Sequence, residues 1–135
     1  MVPSPDVAYS RPGSEVFFEH VKSDRIEMVR KFLERDKFMK FQQNPMGQTA
    51  LHVAASRNLL AICKLLIIFG CDVNHKDIAG RTALYFAVKY NFREVVTTLV
   101  ANFSSCFVID KYSHSLDHVA TDPLIKLIIE KGKIY

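Results

Sequence analysis

The chain has 135 residues, of which 49% are hydrophobic and 24% charged, with a formal net charge of +4. That is one domain's worth of sequence, able to bury a core, and its charge excess is too mild to imply a polyanion partner. Its most apolar stretch, LLAICKLLIIFG at 59–70, contains Lys64 and falls short of the ~20 residues a membrane helix needs.

The N-terminal stretch MVPSPDVAYSRPG has three prolines and no apolar h-region. It reads as an extended arm over 1–13, not as a secretory signal. Residues 14–37, SEVFFEHVKSDRIEMVRKFLERDK, follow as two apolar segments. In the second, Ile26, Val29, Phe32 and Leu33 fall at helical spacing. Lys22, Arg25, Arg30, Lys31, Arg35, Lys37 and Lys40 alternate with Glu19, Asp24, Glu27, Glu34 and Asp36. Mixed signs of this kind describe a solvated helix face, so nucleic-acid binding is the weaker reading.

An internal repeat then begins. NPMGQTALHVAAS at 44–56 returns 33 residues later as DIAGRTALYFAVK and, degraded, after another 33 as DKYSHSLDHVATD. The units run approximately over 14–43, 44–76, 77–109 and 110–135. Gly47 and Gly80 supply the positive φ of a tight turn. Thr49, Thr82 and Ser115 precede short apolar segments, where a hydroxyl caps a helix. Ala54, Ala55, Ala87 and Ala120 let a neighbouring helix approach closely. Asn58 and Asn91 stand between the two segments of their units as αL stops.

The stretch at 59–70 is the second helix of its unit, apolar almost all round because it has a neighbour on either side. Phe92, Val95, Val96, Leu99 and Val100 mark its counterpart in the next unit. The last unit is a few residues shorter around Asp122 and Pro123, with Pro123 suited to the first turn of a helix over 124–132. Cys63, Cys71 and Cys106 form no C-x-x-C pair and read as reduced thiols of a cytosolic or nuclear protein.

GQTALHVAA with LLIIFGCDVN behind it, repeated at 33 residues, resembles the ankyrin repeat. The resemblance implies an all-α solenoid of stacked helix-turn-helix units with hairpin-like finger loops. It also implies that His52 and His118 hydrogen-bond backbone between repeats. This sequence departs from the pattern at Tyr85, where the box histidine belongs, and at Phe103, where a glycine ends the helix. The apolar 106–109 segment replaces a polar tail and needs burial, either internally or against a partner.

No glycine-rich phosphate loop or H-E-x-x-H helix is present, so neither catalysis nor a cofactor is expected. His114 and His118 have a chelating spacing, but one falls in the turn and the other in the box, so no metal is expected either. The resemblance implies partner binding through the finger tips and the exposed side of each first helix. On this chain those positions are Met46, Gln48 and Arg57, then Lys76, Ile78, Arg81, Lys89 and Tyr90, then Ile109 and Tyr112. Met46, Ile78 and Tyr112 would stand in a row on successive fingers. Apolar and aromatic anchors beside arginine have the composition of a binding hot spot. The expectation is a protein-binding adaptor or regulator, with no membrane or small-molecule substrate. The alternative is a permanent structural subunit of a larger assembly.

Overall fold

The computed structural model describes residues 11–133. Among these, eight α-helices pair into four units: α1 (Ser14–Lys22) with α2 (Ile26–Arg35), α3 (Ala50–Ser56) with α4 (Leu60–Ile68), α5 (Ala83–Lys89) with α6 (Arg93–Ala101), and α7 (Leu116–Val119) with α8 (Pro123–Gly132). The first helices stack in the order α1, α3, α5, α7, and the second helices in the order α2, α4, α6, α8. Each unit therefore packs mainly on its neighbours. The arm expected over 1–13 lies outside the described residues except for its last three. Of these, Arg11 is tied to Asp36 through its guanidinium and to Gln42 Oε1 through its backbone N–H.

Local chemistry sets the element boundaries. Asp24, Asn58 and Asn91 adopt φ of 56°, 59° and 62° between the two helices of their units, the αL stop that short polar side chains tolerate. Ala54 and Ala87 are fully buried, and α3 and α5 lie against each other. Helix α4 is the buried middle of the second stack, between α2 and α6, with Ile62, Cys63 and Leu66 at zero exposure. Its apolar character extends beyond its packed faces, because Ile68 is 79% exposed. Burial pushes the Cys63 and Cys71 thiols up to about 12, so both stay protonated.

The shortened last unit closes the stack. Helix α7 has four residues, and Asp122 caps α8 by accepting a hydrogen bond from the Leu124 N–H ahead of Pro123 in the first turn. Arg93 of α6 pairs with the Asp122 carboxylate and fixes α8 to the preceding repeat. At the C-terminal end of α8 the packing is tight: a Cβ on Gly132 would stand 2.6 Å from Cys106 Sγ.

Candidate functional site

Each finger is built on one side-chain carbonyl or carboxylate. Asn44 Oδ1 accepts from the backbone N–H groups of Met46 and Gln48 at 3.0 Å. Asp77 Oδ1 accepts from Ala79 and Arg81, and Asp110 Oδ1 from Tyr112 and His114, all at 2.9 Å. The tips turn at Gly47, Gly80 and Ser113, all at positive φ. These Asx turns recur every 33 residues, and the N, D, D series at 44, 77 and 110 is the sequence signal for them.

Neighbouring fingers are laced together. The Ile78 N–H donates to Met46 O at 3.1 Å, and the Lys111 N–H to Ala79 O at 2.9 Å. Gln48 Nε2 donates to Asp77 Oδ2 at 3.3 Å, and one repeat on Arg81 Nε does the same to Asp110 Oδ2 at 3.1 Å. Burial raises the Asp110 carboxyl, but hydrogen bonds from the His114 N–H, Arg81 and the Tyr112 N–H outweigh it and hold the group below its ordinary range. Asp110 is therefore the anionic anchor of the third finger.

His52 fastens the first two fingers from below. Its Nδ1 accepts from the Thr49 N–H at 3.2 Å, and its Nε2–H donates to Arg81 O at 2.9 Å. His75 Nε2 reaches Gly47 O at 3.1 Å from the other side. The expectation for His118 is corrected. Its ring is exposed and stacks on His114 with centroids 4.5 Å apart, because among the described residues no further finger supplies a carbonyl. The capping expectation also fails at one place. With Tyr85 instead of histidine in the second box, Thr82 Oγ1 is buried with no hydrogen-bond partner. Ser115 keeps the cap, accepting from the His118 N–H.

The anticipated finger row is exposed: Met46 at 55%, Ile78 at 65% and Tyr112 at 58%. Arg57, Lys76, Lys89, Tyr90 and Ile109 are also exposed, with the Lys89 ammonium 5.6 Å from the Tyr90 ring centroid. Gln48 and Arg81 are half-buried and engaged between fingers. The Arg81 guanidinium lies 4.7 Å from the Tyr85 ring centroid and 5.7 Å from that of Tyr112, so it supports the aromatic anchor from behind. The 106–109 segment divides: Cys106 is buried, Val108 half-buried, and Phe107 and Ile109 exposed. Among the described residues no group of three His, Cys, Asp or Glu side chains could hold a metal ion, and no helix is long and apolar enough to cross a membrane.

A rigid edge carrying alternating apolar, aromatic and cationic side chains is suited to gripping another macromolecule. Comparison with known proteins gives this edge a family. The chain is 29% identical over 90 residues to protein phosphatase 1 regulatory subunit 27 of Homo sapiens, covering 67% of this chain and 58% of that protein. It is 29% identical over 126 residues to protein phosphatase 1 regulatory subunit 12A of Rattus norvegicus, covering 92% of this chain but 12% of that protein. It is 30% identical over 105 residues to Notch-regulated ankyrin repeat-containing protein A of Danio rerio, covering 74% of this chain and 94% of that protein. The family model for ankyrin repeats matches residues 17–111 in three copies. The 33-residue period, the laced fingers and these matches together make the chain a member of the ankyrin-repeat family.

Proposed function

We propose that the chain is a non-catalytic regulator that grips a protein partner with its finger row, working in the cytosol or nucleus. The observation that supports this reading best is the exposure of Met46, Ile78 and Tyr112 on fingers whose backbones are already fixed by Asn44, Asp77 and Asp110. Fingers ordered before binding lose little entropy on binding, which favours affinity. Arg57, Lys76 and Lys89 frame the row with positive charge and suit a partner surface rich in carboxylates.

The printed names of two similar proteins make the catalytic subunit of protein phosphatase 1 the first partner to test. Purified subunit is titrated with the labelled chain and with a variant in which Met46, Ile78 and Tyr112 are all Ser. Saturable binding weakened at least tenfold in a variant that keeps its helical circular dichroism supports the reading, since hot-spot anchors each contribute upwards of ~1 kcal/mol. Equal binding by both proteins removes the finger row from it, and no binding by either removes this partner. A nucleic-acid partner would instead give affinity that falls steeply as salt rises.

A further inference from the structure

The second helices α6 and α8 leave an open groove of about 600 Å3 between their C-terminal halves. Its walls are Val100, Ala101 and Thr97 on one side and Ile128 and Gly132 on the other, closed at one end by the 103–107 loop. Two aromatic side chains of that loop stand over the opening, Phe103 at 87% exposure and Phe107 at 66%. The volume falls within the roughly 300–1,000 Å3 typical of ligand sites.

Phe103 carries the argument. It occupies the place that Gly70 holds one repeat earlier, and both are in the left-handed region, at φ of 71° and 85°. For a residue with a Cβ that conformation costs about 1–2 kcal/mol. An almost fully exposed ring regains little of this by packing within the chain. The conformation is nevertheless clamped from the preceding repeat. Asn74 Nδ2 donates to Phe103 O at 3.1 Å, and the Ser105 N–H donates to Asn74 Oδ1 at 2.7 Å. A strained aromatic held in a fixed pose above an apolar groove is pre-organised for contact.

Charge at the rim defines what fits. Lys131 is exposed at the groove edge, and among the described residues no carboxylate pairs with it. The nearby acids Asp117 and Glu130 are both taken by Lys133, whose ammonium lies 6.0 Å from the Phe107 ring centroid. The rim therefore presents one uncompensated cation beside two aromatic rings. We infer that this groove docks a short segment of a partner protein, carrying two large apolar side chains next to a carboxylate that pairs with Lys131. The site lies between second helices, separate from the finger row, so it stands or falls independently of the proposed finger contact.

The test is a selection of random twelve-residue displayed peptides on the purified full chain, followed by titration of a synthetic peptide from the enriched pool. The expected pool carries paired large apolar residues beside Asp or Glu. Its peptide binds at least tenfold more weakly to Phe103→Gly, a variant expected to fold at least as well as wild type. Lys131→Glu weakens the acidic peptide and improves its Glu→Lys counterpart. An unenriched or basic pool, or a peptide indifferent to both substitutions, overturns the inference. Two other results also overturn it. A dimer in sedimentation that Phe103→Gly dissociates would make a second copy the occupant. Enrichment only after removal of residues 134 and 135 would make the chain's own end the occupant.

Discussion

His52 is buried because its two ring nitrogens are both used, one accepting from Thr49 and the other donating across the repeat boundary to Arg81 O. Burial lowers its proton affinity below the ordinary 6.5, since a charged imidazole would be desolvated and Nδ1 would cease to accept from the Thr49 N–H. The folded chain thus binds the proton less readily than the unfolded one does. Its stabilising effect is complete above pH 6.5 and is lost as pH falls from there through the folded-state value. Urea titrations across this range should show wild-type stability declining with acid. His52→Gln should flatten that decline while losing about 1–3 kcal/mol at neutral pH. The two box threonines should also behave differently. Thr82→Val removes a buried hydroxyl that has no partner and should be neutral or stabilising. Thr49→Val should cost about 0.5–2 kcal/mol, because there the capping box is intact. Equal losses at the two sites would contradict this account of Tyr85.

At the scale of elements, the 33-residue period placed every turn and helix pair before any coordinates were considered, because each repeat repeats its own punctuation: Asn or Asp, then Gly, then Thr, then an αL Asn. The places where the pattern broke were visible as breaks, but their outcome depended on neighbours. Phe103 could be read as a missing glycine. That the chain keeps the left-handed turn there depends on Asn74, which lies 29 residues away in sequence. His118 matched the box but lacked the next finger, which is a fact about its surroundings and not its own chemistry. Arg81 looked like a contact residue by its position, yet its guanidinium is committed to Asp110 and stacked over Tyr85. The strain at the α6 terminus yields a prediction. Phe103→Gly should raise stability by about 1 kcal/mol, read as a shift in denaturation midpoint, since it removes a strained φ and little buried surface. A fall in midpoint would mean that the ring packs more than its exposure indicates.

The whole molecule is a stack in which rigidity is distributed along one edge. Backbone lacing between fingers, the Gln48–Asp77 and Arg81–Asp110 bridges and the two histidine ties all act between adjacent units. As an ankyrin-repeat chain it is built for protein–protein interaction, and its apolar anchors are carried on the most firmly held loops of that edge. The measurement that tests this most directly is quantitative affinity capture from nuclease-treated lysate at physiological salt. The wild-type chain is run beside the folded variant with Met46, Ile78 and Tyr112 changed to Ser. The account predicts that proteins enriched on the wild type are lost from the variant. If the same proteins are retained in equal amounts, the finger row is not the binding edge and the central claim is wrong.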